Sequence, residues 1–121
     1  MLTTARRLLA PDGRLVAVTL NPGHGRGTPY YAHYDFTLTQ PEDGEGAPVT
    51  LDAAFPSGRR LNVTARWWSH ETYEKTAVAA GFSRTSWIPL SVSPQGVALH
   101  GDAYWSAYLQ APQAVVLEAF P

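Results

Sequence analysis

The stretch "LLAPDGRLVAVTLNP", residues 8–22, contains the clearest strand signal in the chain. Pro11 and Gly13 end a helical segment and form a turn. After Arg14, residues 15–21 are aliphatic, β-branched or small and carry no charge. A run of this kind is typical of a strand buried on both faces, and such strands usually lie inside a sheet built from several βα units. We therefore expect a buried sheet strand at residues 14–21, of the kind that normally lies inside a sheet.

Composition limits the class of protein. The chain has 121 residues, enough for a single domain, and a formal net charge of -1 without any run of Lys or Arg, which argues against nucleic acid as a partner. The absence of cysteine excludes disulfides, thiolate metal sites and a cysteine nucleophile. No apolar stretch approaches the roughly 20 residues of a membrane span. The first residues lack the apolar core of a secretory signal, so a cytoplasmic protein that does not bind membranes is expected.

The first two thirds of the chain combine one helix with antiparallel strands. Leucines at helical spacing predict a helix over residues 2–9. Residues 34–68 alternate apolar and polar side chains with period two, which predicts a three-stranded antiparallel meander with one wet face. The segment "PSGR" within it is typical of a hairpin turn. A glycine- and tyrosine-rich loop, residues 21–34, joins the meander to the buried strand.

The last third alternates helices and strands. Ser69 is expected to cap a helix that ends at Gly81. Strands follow at residues 82–88 and 114–120, and Asp102 is expected to cap the short aromatic helix between them. The segment "PLSVSPQG" is predicted to be a loop because of its prolines and glycine.

Several stretches occur in a distinctive order. L-x-P-D-G-R precedes V-A-V-T-L-N-P, and after the meander come "WWSHETYEKTAVAAGF", a V-S-P-x-G loop, "DAYWSAYLQAP" and "VVLEA". This succession resembles the C-terminal half of a class I S-adenosylmethionine-dependent methyltransferase of the small-molecule type. The resemblance implies an α/β fold for residues 1–121, a partial Rossmann-like sheet with an inserted meander, completed by dimerisation. It makes residues 14–21 the fifth strand of that family, 82–88 the sixth and 114–120 the antiparallel seventh, with 34–68 as a substrate-side insertion.

The cofactor-binding half of that family has no counterpart in the sequence. The family binds S-adenosylmethionine through a glycine-rich turn after its first strand. Here "GHGRG", residues 23–27, follows a strand, but Thr28-Pro29-Tyr30 comes next where the fingerprint requires a helix N-terminus. We therefore expect the chain alone to bind no cofactor, and S-adenosylmethionine to bind only where an N-terminal partner half is present.

The same resemblance predicts an open sheet edge. In the family the fifth strand pairs with the fourth on one side and the seventh on the other. Without a fourth strand, one edge of residues 14–21 is free, and an apolar edge without Lys, Pro or a bulge promotes association. The expected partner is a second copy of the chain, forming a homodimer, or a separate N-terminal half.

Candidate site residues cluster after the buried strand. Asn21, Tyr30, Tyr31, Tyr34 and Trp68 are predicted to bind a small-molecule substrate, because aromatic side chains with polar groups suit planar or apolar ligands.

Trp67, adjacent to Trp68, is expected to fill the core, since neighbouring strand residues face opposite ways. The catalytic candidates are His70, His33 and Tyr34. His70 lies in a first helical turn, where the helix dipole favours a neutral imidazole that can act as a base. His24 and His33 share one loop, but no spacing typical of a metal site is present, and no metal is expected.

Three functions remain open at this point. The first is the substrate-side half of a methyltransferase, inactive without its partner. The second is a cofactor-free enzyme, such as a cyclase or isomerase of natural-product synthesis, that uses the retained acceptor pocket. The third is a non-catalytic binding or scaffold subunit that docks through its open edge.

Overall fold

A computed structural model describes residues 1–27 and 30–121. Within these residues the fold is α/β, with two small antiparallel sheets and four α-helices. The elements in chain order are α1 (Leu2–Leu8), β1 (Leu15–Leu20), a 3-10 turn (Ala32–Tyr34), β2 (Phe36–Thr39), β3 (Pro48–Ala54), β4 (Arg60–Arg66), α2 (His70–Ala79), β5 (Arg84–Pro89), α3 (Pro94–His100), α4 (Asp102–Gln110) and β6 (Ala114–Phe120).

The first sheet has the strand order β1-β6-β5. The central strand, β6, is antiparallel to both neighbours, so that Val18 pairs with Val116 and Ile88 pairs with the same Val116 from the other side. Because both outer strands run opposite to β6, β1 and β5 are parallel to each other. The three strands expected for a core sheet therefore lie in one sheet, and its central strand runs antiparallel to the other two.

One face of the first sheet is packed against α1 and α2. Ala119 of β6, Ala77 of α2 and Phe82 form a buried cluster, and Leu9 and Leu15 pack against it. Ala119 is fully buried and Phe82 is only 3% exposed. This cluster is the centre of the hydrophobic core on the α1/α2 side.

The opposite face of the first sheet is largely open. Val16 is 53% exposed, Val18 71% and Ile88 41%. The expectation that β1 is buried on both faces is therefore wrong for the residues described, because α1 and α2 lie on the same side of the sheet. An uncharged apolar run shows that both faces of a strand are suited to burial. Whether both are buried depends on which other elements pack against the sheet.

The outer edge of β1 also has a defined set of unpaired backbone groups. The N–H of Asn21 donates to the carbonyl of Gln113 at 2.9 Å, one position beyond the β1–β6 register. In an antiparallel ladder, hydrogen-bonded positions alternate with positions whose backbone groups point away. Val16, Val18 and Leu20 therefore direct their N–H and C=O groups outward. Among the residues that the structure describes, β1 pairs with β6 alone.

The meander predicted for residues 34–68 is present as the second sheet, in the order β2-β3-β4, but the expectation of one wet face fails for β4, which is exposed on both faces. Its register places Leu38, Leu51 and Val63 side by side on one face. The "PSGR" turn is closed by Phe55, whose N–H donates to Arg59 at 2.8 Å. The apolar face of β2 and β3 turns toward the loop after β1, where Tyr31 stacks on Phe36 with ring centroids 4.8 Å apart.

Helix α2 begins and ends where its sequence predicts. The Ser69 hydroxyl accepts the N–H of Thr72 at 3.2 Å. At the other end Gly81 has a φ of 94°, its N–H donates to Val78 and the N–H of Phe82 donates to Ala77. These two bonds form a Schellman motif, which glycine favours because it adopts positive φ without strain.

The segment around Ser93 differs from its prediction. It is not a loop throughout, because α3 begins at Pro94 and runs to His100. Proline at the first helical position loses no hydrogen bond, and the Ser93 hydroxyl accepts the N–H of Gly96 at 3.1 Å. The following helix is capped by Gly101, without a side-chain bond, and not by Asp102, which is its first residue.

Over residues 1–27 and 30–121, no helix has both the length and the hydropathy of a membrane-crossing segment.

Candidate functional site

Tyrosine hydroxyls attach the loop after β1 to the end of α4. Tyr30 donates to the carbonyl of Ala107 at 2.6 Å, and Tyr31 donates to the carbonyl of Ala111 at 2.5 Å. Carbonyls at the last turn of a helix have no partner within it. The two hydroxyls therefore satisfy the C-terminal end of α4 and hold the loop against it.

Tyr34 binds the same helix one turn earlier. Its hydroxyl donates to the carbonyl of Tyr104 at 2.8 Å and accepts the N–H of Tyr108 at 3.0 Å. These two backbone groups are an i, i+4 pair, which bond to each other in a regular helix. The ring of Tyr34 also stacks on Trp105, with centroids 5.9 Å apart. The hydroxyl of Tyr34 therefore both donates and accepts a hydrogen bond with the backbone of α4.

Tyr31 is the most deeply buried of the three, at 1% exposure. Its hydroxyl also accepts the N–H of Gly25 at 2.6 Å. Burial raises the pKa of Tyr31 to about 12, and the bond from Gly25 opposes that rise. The neutral side chain of Tyr31 therefore bridges the loop after β1 and the C-terminal end of α4.

Asn21 closes the loop from the strand side. Its amide donates to the carbonyl of Pro112 at 2.8 Å, and its side-chain oxygen accepts the N–H of Gly23 at 3.0 Å. These bonds fix the carboxyl end of β1 to the segment that leads into β6. The substrate roles predicted for Asn21 and the three tyrosines stay predictions.

The two adjacent tryptophans face different surroundings. Trp67 is half-buried, donates its indole N–H to the carbonyl of Pro22 at 3.0 Å and carries the Arg26 guanidinium 5.5 Å from its ring centroid. Trp68 is 39% exposed. Its ring lies so close to Gly46 that a Cβ there would come within 3.3 Å of it.

Trp68 lines a cavity of about 590 Å³ between α1 and α2, together with Leu2, Tyr73 and Ala79. We call it the α1/α2 cavity. The Tyr73 hydroxyl is 2.7 Å from the hydroxyl of Thr19, near the end of β1. Tyr73 therefore joins the wall of this cavity to β1.

His70 belongs to an aromatic cluster beside this cavity. Its ring meets that of Trp87 edge-on at 4.6 Å, and Trp87 lies 5.6 Å from Tyr73. The indole N–H of Trp87 donates to the carboxylate of Glu74 at 2.9 Å. Thr19, Tyr73 and Trp87 connect β1, α2 and β5 at this point.

The other two catalytic candidates lie in a different cluster. His33 is 5.2 Å from the ring of Tyr34 and 4.6 Å from that of Tyr104. The aromatic contacts of His33 and Tyr34 are thus with α4, whereas those of His70 are with Trp87. The structure groups the three catalytic candidates into two sites, and their catalytic roles stay predictions.

His24 is buried, with 5% exposure, and its Nδ1 lies 3.0 Å from the carbonyl oxygen of Asn21. Burial lowers the pKa of His24, against the opposing effect of that carbonyl. Within the described part of the chain, no group of three or more His, Cys, Asp and Glu side chains is placed to hold a metal ion.

A second cavity, of about 360 Å³, lies between the meander and the segment that enters β6. We call it the meander cavity. Its lining is mostly apolar, with a few polar groups, and includes Tyr34, Asp35, Phe36, Leu51, Phe55 and Gln113. Because Gln113 lies beside Asn21 in the ladder, this cavity lies at the carboxyl end of β1.

Two polar residues of the meander cavity are unusual. Within residues 1–27 and 30–121, the buried Oε1 of Gln113 has no hydrogen-bond partner, whereas the side chain of Gln113 does meet the hydroxyl of Tyr108; burial raises the pKa of Tyr108 and this contact opposes the rise. Asp35, at the exposed rim, has a φ of 63°, a left-handed conformation that Asp tolerates better than most residues.

Sequence reasoning missed the importance of Gln113, Tyr73 and Trp87. In the sequence, Tyr73 is marked only as part of the apolar face of a helix. No sequence pattern marks Gln113, because its position beside Asn21 depends on long-range strand register.

Neither a protein family model nor a curated protein sequence matches this chain.

Proposed function

We propose that these residues form the substrate-side, C-terminal half of an S-adenosylmethionine-dependent small-molecule methyltransferase, with a sheet completed by another polypeptide segment. The observation that carries the proposal is the strand order β1-β6-β5, with β6 antiparallel to both neighbours. It agrees with the expected pairing of the family's fifth strand with its antiparallel seventh. The helix α1 directly before β1 and the meander after it are in the expected order.

The open side of the first sheet supports an added segment. Val16 and Val18 expose apolar side chains on the uncovered face, and the same residues, with Leu20, direct backbone groups to the free edge. Doubly wound α/β sheets carry helices on both faces. A partner that adds a strand beside β1 would pair its free backbone groups, and helices over the open face would cover its exposed apolar side chains.

The glycine loop supports the absence of a cofactor site within these residues. The N–H of Gly23 is bonded to the side chain of Asn21, that of His24 to the Asn21 carbonyl, and that of Gly25 to the Tyr31 hydroxyl. A phosphate- or nucleotide-binding turn needs free N–H groups at a helix N-terminus. The interruption expected at Thr28 and Pro29 lies outside the described residues.

The proposal is tested by reconstitution. A tagged chain is purified under native conditions, any stoichiometric partner is identified, and the complex is titrated with S-adenosylmethionine. We expect a partner that carries a strand, a glycine-rich turn and a helix, and a complex that binds S-adenosylmethionine when the chain alone does not. A partner without such a turn, or a complex that binds none of the cofactor, contradicts the proposal.

A non-catalytic docking subunit is the second candidate, because the same open edge favours it. This function predicts a stoichiometric complex in which S-adenosylmethionine neither binds nor raises the melting temperature. The cofactor-free enzyme gains no comparable support from the geometry, because the Tyr34 hydroxyl is bonded to the backbone of α4.

A further inference from the structure

We propose that the α1/α2 cavity is a binding site for a flat aromatic molecule without a charged group, which packs its ring against the indole of Trp68. The cavity volume, about 590 Å³, lies within the range of small-molecule sites. Its lining residues come from α1, α2 and the residues that adjoin these helices. The site therefore goes beyond the proposed methyl transfer, and binding there requires neither S-adenosylmethionine nor a partner.

Trp68 offers the cavity an aromatic ring that is already held in place. The indole is 39% exposed, and its six-membered ring lies against Gly46, where a Cβ would come within 3.3 Å of it. Gly46 has a φ of 78°, which glycine adopts without strain. The N–H of Ser69, the next residue, donates to the carboxylate of Glu45 at 3.2 Å. Because these contacts fix the segment before α2 to the meander, little freedom of the indole is lost when a ligand binds.

The other walls of the cavity suit a flat apolar body. Leu2, Tyr73 and Ala79 line it, and Tyr73 is fixed through its hydroxyl, 2.7 Å from that of Thr19. Among the described residues that line the cavity, none has a charged side chain. A charged ligand group would lose hydration there without gaining an ion pair, whereas a ring gains contact with the indole. The walls therefore favour an uncharged aromatic ligand.

The test uses the full chain alone and three probes of one carbon skeleton. They are 2-naphthylmethanol, its saturated counterpart decahydro-2-naphthylmethanol, and 2-naphthylmethylamine, which is a cation at neutral pH. Dissociation constants are measured by NMR titration, following the indole N–H of Trp68 and the backbone amide of Tyr73. We expect the aromatic alcohol to bind about fivefold more tightly than the saturated alcohol, the size of one favourable aromatic contact. It should bind about tenfold more tightly than the amine.

Trp68→Leu keeps an apolar side chain but removes the aromatic face. This variant is expected to bind both alcohols equally, with the affinity that the wild type has for the saturated one. Phe55→Leu is the matched control, because Phe55 is 50% exposed but lines the meander cavity. It should keep the preference for the aromatic alcohol. Ala79→Leu, which narrows the α1/α2 cavity, should weaken all three probes and provides the test if Trp68→Leu fails to fold.

Equal affinity of the two alcohols for the wild type overturns the proposal, as does a preference that survives Trp68→Leu. Binding of the amine as tightly as the aromatic alcohol also overturns it, and so does absence of binding by all three probes or a set of shifts confined to the meander cavity. Because neither S-adenosylmethionine nor a partner is present, the result is independent of the reconstitution experiment. Failure of either experiment leaves the other proposal standing.

Discussion

At the scale of single residues, the hydroxyl of Tyr31 joins two parts of the backbone, the loop after β1 and the end of α4. Tyr31→Phe leaves the Gly25 N–H and the Ala111 carbonyl without this partner, and Gly25 is buried. We expect a loss of about 1–3 kcal/mol in the free energy of unfolding, the usual cost of unpaired buried groups. Chemical denaturation measures it.

Tyr30→Phe is the control, because its bond to Ala107 is exposed and water can replace it. Its loss should be clearly smaller, within about 1 kcal/mol. Equal losses of unfolding free energy in the two variants would contradict the claim that the Tyr31 hydroxyl satisfies buried backbone groups.

The raised pKa of Tyr31 predicts an alkaline limit to stability. The pKa of an exposed tyrosine, as in the unfolded chain, is 10.0, whereas the pKa of the folded Tyr31 is about 12. Between these values the unfolded state has lost a proton that the folded state retains, so stability is complete below pH 10 and falls as the pH rises toward 12. The melting temperature of the wild type should therefore drop more steeply over this interval than that of Tyr31→Phe. Parallel curves would refute the assignment.

The sequence predicts which side chains lie close together in the chain, but not the groups to which they are bonded. The cluster of tyrosines after β1 was visible in the sequence because the residues are close together in the chain. Their bonds to α4 join positions that are 70 to 80 residues apart, and no local pattern contains them. The same holds for Gln113, which reaches the carboxyl end of β1 through strand register.

At the scale of elements, α2 depends on its N-cap. Ser69→Ala removes the acceptor for the N–H of Thr72, and we expect a loss of about 1 kcal/mol in the free energy of unfolding. Ser69→Asp restores an acceptor and should recover most of it. Urea denaturation of both variants is the measurement, and an unchanged stability in Ser69→Ala would show that the cap is dispensable.

Elements whose residues carry a cap, a stop or a clear alternation could be predicted from the sequence, whereas the burial of their side chains could not. The Ser69 cap, the Gly81 stop and the alternation of the meander are encoded within a few residues. Helix α3 was missed because Pro94 and Gly96 suggested a loop, although Pro94 occupies the first helical position. The open face of β1 could not be read from its apolar run, because burial depends on which elements cover the sheet.

At the scale of the whole molecule, the free edge of β1 predicts association. We expect light scattering to give a mass above the 13.2 kDa of one chain at high protein concentration. Val18→Lys places a charge on the open face of the edge strand and should return the protein to a monomer. Its effect on monomer stability should be about 1 kcal/mol or less, because Val18 is 71% exposed.

Val78→Lys is the matched control, since Val78 is 62% exposed but lies on α2, away from the edge. It should associate as the wild type does. A wild type that stays monomeric at all concentrations, or a Val78→Lys variant that dissociates as Val18→Lys does, would contradict pairing through β1.

The most direct test of the central claim is isothermal titration of S-adenosylmethionine into the 121-residue chain alone. We expect no binding, because the N–H groups of Gly23, His24 and Gly25 are already bonded within the loop and because, in our proposal, another segment supplies the cofactor half. Saturable binding of one cofactor molecule per chain would contradict it.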